Sequence, residues 1–351
     1  MKKRYLVLGV CLAGLLFWSL LDNEELESNS KGVYEKPLID SDLTDVVKSV
    51  APLPKPQKHT VHAMVQMSGQ LSEAAEHVAT QYQQALKYPP YSQPLSANDD
   101  DRLRPNYFYP VSSVIADQSE PLTIKLSKYR YVYPEDIVVE ISGPDVKNVE
   151  LKLVDIDNQQ EYASTRLLTH PYEARFKGSK QLPRNLQLIA SAQLERKEVP
   201  IIAQFQYMQP SAKVVSISDV YPNNDNMVVD VRLEVINPGV YRLRANLFAG
   251  DLPLAHLVSK EKLSRGTQTI KLQAHWSVLQ PTISNMLLSG FVIERMSPSP
   301  DEPNSYGSSD IKLYEIHDFP YDSLQQLPYQ ASSKELQSLE FLRQLANSGQ
   351  L

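Results

Sequence analysis

MVVDVRLEV at residues 227–235 and VYRLRANLF at residues 240–248 decide the fold. In both, apolar and polar side chains alternate with period two, so one face of each run is apolar and the other is wet, as in a half-buried antiparallel strand. The pattern continues to either side. VVSISDV starts at Val214, LAHLVSKEKL at Leu254, TQTIKLQAHW at Thr267, LLSGFVIERM at Leu287 and IKLYEI at Ile311. Upstream of Gln209-Pro210 it recurs as LTIKL from Leu122, IVVEI from Ile137, VELKLV from Val149, LQLIASAQL from Leu186 and IIAQFQY from Ile201. Turn residues bound these runs at Tyr133-Pro134-Glu135-Asp136, Gly143-Pro144-Asp145 and Asp157-Asn158. Short strands at this spacing, with no helical period between them, predict a mostly β chain built from two tandem Ig-like antiparallel β-sandwiches, residues 121–209 and 210–320. SPSPDEPNSYGSSD, residues 297–310, reads as a mobile hairpin loop of the second sandwich.

The 351 residues carry a formal net charge of −6, 25 Pro against 12 Gly and 1 Cys. Mild acidity removes the electrostatic footprint of a nucleic-acid binder. One cysteine forbids an intramolecular disulfide and any Cys-rich metal or iron-sulfur site, and no cofactor is expected.

Before the strands the composition changes repeatedly. Lys2, Lys3 and Arg4 precede the uncharged stretch YLVLGVCLAGLLFWSLL, Tyr5 to Leu21, and Asp22, Glu24 and Glu25 follow. That charge step puts the N-terminus in the cytoplasm and the rest of the chain outside. Residues 1–21 therefore read as a signal-anchor in the inner membrane, with Leu6, Leu8, Leu15, Leu16 and Phe17 in the hydrocarbon and Trp18 at the far interface. The alternative is a cleaved signal peptide that releases a periplasmic or secreted chain, but small residues in an A-x-A arrangement are missing near Trp18. Cys11 lies inside the apolar run behind Val10, which does not suit a lipoprotein. Residues 22–60 are a Pro-rich, acidic linker. An amphipathic helix follows, its stripe Met64, Met67, Leu71, Ala74, Val78, Tyr82 and Ala85, ended by Pro89 and Pro90. The stripe is expected to pack on the β domain or else to form a short coiled coil. The helix and a Pro/Tyr-rich strap fill residues 61–120. At the other end, residues 321–351 hold a short helix whose capping box is Ser332 and Glu335 and whose apolar stripe is Leu336, Leu339, Leu342 and Leu345.

In PGVYRLRANLFAGDLPLAHLVSKEKLSRGTQTIKLQ, residues 238–273, Gly239, Tyr241, Arg242, Phe248, Pro253, Ala255, Gly266, Gln268 and Thr269 stand where related modules carry a Gly-x-Tyr-Arg strand, an aromatic, a Pro-x-Ala strand start and a Gly-x-Gln-Thr strand. The stretch resembles the Ig-like "choice-of-anchor" type modules at the C-termini of uncharacterised gamma-proteobacterial envelope proteins. The resemblance implies a fold and an exported location but no chemistry. KYRYVYPEDIVVEISG from Lys128 is similar to macroglobulin-like β modules, although no cysteine is available for their thioester.

Chemistry is sparse. His59 and His62 sit at the end of the linker without a nearby carboxylate, and His256 and His275 fall on strands expected to be neighbours, as surface or cross-strand imidazoles. No nucleophile elbow and no H-E-x-x-H occurs, and no pocket between the sandwiches is expected to gather two carboxylates or a Ser-His pair. Asp155, Asp157 and Asn158, and Asp225 in its Asn-rich loop, offer Ca²⁺-type oxygens but fit hairpin turns unaided. Tyr129, Tyr131 and Tyr133, spaced by two, and Leu336, Leu339 and Leu342 are the interaction candidates. The chain therefore reads as a membrane-anchored periplasmic interaction or scaffolding protein, not an enzyme, whose partner is another envelope protein. The alternatives are a glycan- or peptidoglycan-binding protein, which needs several coplanar exposed rings, and a hydrolase with an unrecognised site.

Overall fold

In a computed structural model of the chain, residues 60–115, 120–143, 146–194, 197–280 and 285–347 are described, residues 60–70 by their backbone alone. The expected anchor, with Leu6 to Trp18, and the linker through His59 lie outside them. No helix among the described residues is long and apolar enough to cross a membrane. The chain forms two compact units, one drawn from Met1–Gln84 and Ser332–Leu351, the other Ala85–Ala331.

The first unit pairs two helices, α1 (Thr60–Ala85) and α2 (Ser333–Asn347). Ser332 and Glu335 close the capping box: the Ser332 amide donates to Glu335 Oε2 at 2.7 Å and the Glu335 amide to Ser332 Oγ at 3.3 Å. The helices run antiparallel, since Ser72 Oγ donates to the Ala346 carbonyl at one end while Tyr82 meets Glu335 and Ser338 at the other. Their buried positions are Ala75, Ala79 and Leu339. The face of α1 is thus turned from the expected stripe: Leu71 is 54% exposed and Ala74 is exposed. Small side chains at Ser72, Ala75 and Ala79, spaced by three and four, let the second backbone come close.

The strap supplies the first strands of the second unit, β1 (Ser92–Pro94) and β2 (Val111–Ser113), with a helical turn at Asp100–Leu103 between them. The first sandwich continues with β3 (Leu122–Leu126), β4 (Arg130–Val132), β5 (Ile137–Ser142), β6 (Asn148–Asp155), β7 (Glu161–Leu167), β8 (Tyr172–Phe176), β9 (Asn185–Gln193) and β10 (Glu198–Met208). Its sheets have the orders β2-β3-β5-β8 and β4-β10-β9-β6-β7. Inward residues Leu122, Ile124, Val139 and Ile141 of one sheet pack against Leu151, Leu188, Ala190 and Phe205 of the other. The second sandwich holds β11 (Ala212–Asn223), β12 (Asn226–Val235), β13 (Gly239–Ala249), β14 (Leu252–Leu263), β15 (Gly266–His275), β16 (Asn285–Arg295), β17 (Ser305–Tyr306), β18 (Ser308–Ser309) and β19 (Leu313–His317). Its sheets run β15-β12-β11-β18 and β1-β14-β13-β16-β17, with β19 also on β16. Val229, Val231 and Leu233 face Tyr241, Leu243, Ala245 and Leu247 in a separate core.

Two expectations change. The strap does more than lie over a surface, because β1 adds to the second sandwich by pairing with β14 and β2 to the first by pairing with β3. Residues 297–310 are no free hairpin: β17 pairs with β16, and β18 pairs in parallel with β11. Gly307 makes this possible, since a Cβ there would lie 2.1 Å from the Ala212 carbonyl oxygen.

Candidate functional site

On β13 the alternation that buries Tyr241, Leu243 and Ala245 turns Arg242, Arg244 and Asn246 to the opposite face, where β16 contributes Glu294 and β14 His256. Glu294, 2% exposed, uses all its acceptor capacity: Oε2 accepts from Arg242 Nη2 at 2.6 Å and Nε at 3.1 Å, and Oε1 from Asn304 Nδ2 at 2.8 Å and the Tyr306 hydroxyl at 3.2 Å. Arg244 Nη2 reaches the same carboxylate only at 3.4 Å, and its buried Nε has no acceptor. Burial works against the Glu294 charge, but Arg242 and Arg244 outweigh it and hold the carboxyl below its usual range. Burial also depresses Arg244, with Arg242 and Arg130 adding to the effect and Glu294 opposing it.

His256 Nδ1 lies 2.7 Å from Asn246 Oδ1, and Asn246 Nδ2 donates to the Arg102 carbonyl at 2.7 Å, which ties the strap to the sheet. Burial, then repulsion by Arg102, Arg244 and Arg242, lowers the imidazole to about 4, so it is neutral at physiological pH.

The first sandwich closes over this face. Arg130 stacks on the Tyr306 ring at 4.4 Å and donates to the Pro105 carbonyl at 2.8 Å, and Arg184 Nη2 donates to the Asn304 carbonyl at 2.7 Å. The connection between the sandwiches is itself pinned. The Ser211 amide donates to the Tyr306 carbonyl at 3.0 Å, and the Ser211 carbonyl accepts from the Tyr241 hydroxyl at 2.8 Å and from the Ile236 and Asn237 amides. Residues 304–306, read from sequence as loop, are therefore the centre of an arginine-rich joint.

The residues singled out from sequence are scattered. Tyr131 is fully buried, edge-on to Phe205 at 5.5 Å, while Tyr129 is 39% exposed, so the three tyrosines do not share a face. Residues 130–132 alone are strand here, too short a run for period two to carry from Tyr129 to Tyr133. Tyr107 and Tyr109 on the strap are exposed but meet at 86°, which makes no flat platform for a sugar ring. Of the leucines on α2, Leu336 is exposed, Leu342 half-buried and Leu339 buried. Asp155 is buried and accepts the Asp157 amide at 2.8 Å, Asn158 accepts the Gln160 amide at 2.8 Å, and Asp225 accepts the Leu327 amide at 3.2 Å; each carries out turn or tether work. Among the described residues no group of three or more His, Cys, Asp or Glu is arranged to hold a metal.

His256 and His275 take separate partners, on strands of different sheets. His275 brings a Ser-His pair that the sequence pattern did not suggest, with Nδ1 2.7 Å from Ser277 Oγ. The ring caps the 3₁₀ turn Trp276–Val278 by accepting the Ser277 amide, and His275 is 3% exposed. The arginine face was legible only in part, since Arg242 and Arg244 alternate visibly on their strand but their partners Asn304 and Tyr306 lie in a run without period.

No family model matches the sequence, and no curated protein does. Among solved structures, a DUF4785 family protein from Legionella pneumophila overlaps at a TM-score of 0.37 and 16% identity, covering 50% of this chain and 51% of that one, so that this chain spans about half its length. A two fibronectin type-III domain segment of chicken tenascin overlaps at a TM-score of 0.24 and 11% identity, over 55% of this chain and 97% of the segment. Escherichia coli alpha-2-macroglobulin activated by porcine elastase does so at 0.22 and 13% identity, over 57% of this chain and 22% of that one. By the strand pairings described above, the chain is a mostly β protein of several antiparallel sheets.

Proposed function

We propose that this is a non-catalytic interaction or scaffolding protein of the bacterial envelope, with two Ig-like sandwiches held outside the inner membrane by residues 1–21. The observation that carries the reading is the joint. Buried Glu294 holds the half-buried Asn304 and Tyr306 in place on the second sandwich, and there Arg184 and Arg130 of the first fasten to them, as suits a body that must present surfaces at a set spacing. β7 ends its sheet and offers an unpaired edge to a partner strand. The glycan alternative has less support, since the exposed Tyr107 and Tyr109 rings meet nearly at right angles.

Photo-crosslinking amino acids placed at Thr165 in β7 and at the exposed Phe341 of the full-length chain test this in intact cells. The expected result is one envelope protein recurring at one of these positions, with a C-terminal tag digested only after the outer membrane is opened. A capture pattern identical to that of an unrelated periplasmic protein, or a tag reached only after lysis of the inner membrane, defeats it. The Ser277–His275 pair favours a hydrolase as the second reading. Ester hydrolysis by the purified full-length chain, abolished in Ser277→Ala, would establish that reading, and equal background in both proteins would dismiss it.

A further inference from the structure

The helix pair has two unlike sides. Glu76, Thr80 and Gln83 of α1 and Arg343 and Asn347 of α2 line one of them, where Arg343 Nη2 donates to Gln83 Oε1 at 3.0 Å. At about 100° of turn per residue, Leu71, Ala74 and Val78 stand on the flank of α1 opposite to this polar side, and Phe341 and Leu345 on the opposite flank of α2. The other side of the pair is therefore apolar, and it is open. Leu71 is 54% and Phe341 62% exposed, Ala74 is exposed, and Val78 and Leu345 are half-buried. Among the described residues of the two helices only Ala75, Ala79 and Leu339 are buried. Two helices are one layer, and a layer is stable when a second one covers its apolar side.

The pattern of α1 fits a copy of itself. Leu71, Val78 and Ala85 recur every seven residues with Ala74 and Gln81 between them, an a/d heptad that Met64 and Met67 continue toward the start of the helix. The flanking e and g positions, from 68 to 84, hold no Asp, Glu, Lys or Arg, while Glu73 and Glu76 fall at c and f, away from the seam. Charged e and g residues prescribe a different partner or keep identical helices apart; on α1 nothing repels a second α1 in register. α1 also outruns α2, since Ser72 meets Ala346 near the end of α2 and the helical backbone of residues 60–71 extends about 18 Å past that point. We propose that the apolar side binds a second copy of this chain, α1 against α1 in parallel with like positions facing, so that two helix pairs close into a four-helix bundle.

The test uses the full-length chain in detergent with Cys11→Ser, so that each introduced thiol is the only one. Under mild oxidation Leu71→Cys and Val78→Cys, at a positions, are expected to give a covalent dimer, and Glu73→Cys, at a c position, to stay monomeric. Sedimentation of the chain without introduced thiols is expected to show a dimer, whose dissociation constant rises at least about tenfold in the Leu71→Glu, Phe341→Glu double variant and stays as it was in Glu76→Lys. Both substituted side chains are exposed, so the thermal midpoint of the β unit should not move. A chain that is monomeric at about 100 µM, a double variant that dimerises as tightly as the parent, or a Glu73→Cys crosslink as strong as that of Leu71→Cys overturns the proposal. Recurrent capture at Phe341 of another envelope protein in place of a second copy also overturns it and leaves the interaction reading standing. A dimer without any other envelope partner upholds it and defeats that reading.

Discussion

Tyr241 is a large, fully buried residue of the second core, and its hydroxyl finds the Ser211 and Asn237 carbonyls at 2.8 and 2.6 Å. Tyr241→Phe leaves the ring and removes both bonds. It is expected to lower the unfolding free energy by about 1–2 kcal/mol in chemical denaturation, with an unchanged m-value. Glu294 is a more severe case. Glu294→Gln removes the negative charge but keeps the shape, so Arg242 and Arg244 stay buried without a counter-charge. The expected loss is about 3–5 kcal/mol, measured the same way, because breaking one partner of a buried pair leaves the other desolvated.

Elements were legible where burial imposed a period. LTIKL from Leu122 coincides with β3, and the runs from Met227 and Val240 fall within β12 and β13. The capping box at Ser332 likewise named the start of α2. The pattern missed β7, whose alternation is weak, β8, which is only five residues long and yet buries Tyr172 and Phe176, and strands held by backbone alone. Ser92-Gln93-Pro94 has no apolar alternation and is a strand because β14 offers it an edge, and Ser305–Tyr306 and Ser308–Ser309 pair on either side of Gly307 because that residue lets the backbone close on Ala212. Such pairing is decided by the partner, not by the segment. The arginine joint was hidden for the same reason, since Glu294 and Asn304 meet only once that segment has paired. On α1, the choice of face was also a neighbour's doing, as small residues at Ser72, Ala75 and Ala79 admit the other helix more closely than Leu71 would. Leu339 is the buried residue of α2, so Leu339→Ala is expected to cost about 2–3 kcal/mol of helix-pair stability. Hydrogen exchange should then rise at the α2 amides while those of β12 keep their protection.

At the scale of the Ala85–Ala331 unit, the joint ties stability to pH. His256 titrates at about 4 in the folded chain against an ordinary 6.5, so the unfolded chain binds the extra proton first. Its contribution is complete above pH 6.5 and is lost as pH falls toward 4. Glu294, also held below its ordinary value, contributes above about pH 4.5 and loses that contribution on further acidification. The groups facing His256 are Arg102 and Asp99 from the strap and Arg242 and Arg244 from β13. The thermal midpoint of the native chain is therefore expected to fall between pH 6.5 and 4, and the fall to be smaller in His256→Gln. Equal slopes in the two proteins would refute the assignment. The strap has a consequence for how the protein is made. Since β1 belongs to the second sandwich and β2 to the first, the chain visits the second module, leaves for the first and returns. The first module is one continuous stretch, β2 to β10, but the second is not, so a gene cut at the 209/210 boundary would leave the second without its strand β1. During synthesis Ser92–Pro94 must wait, unpaired, until Leu252–Leu263 has been delivered.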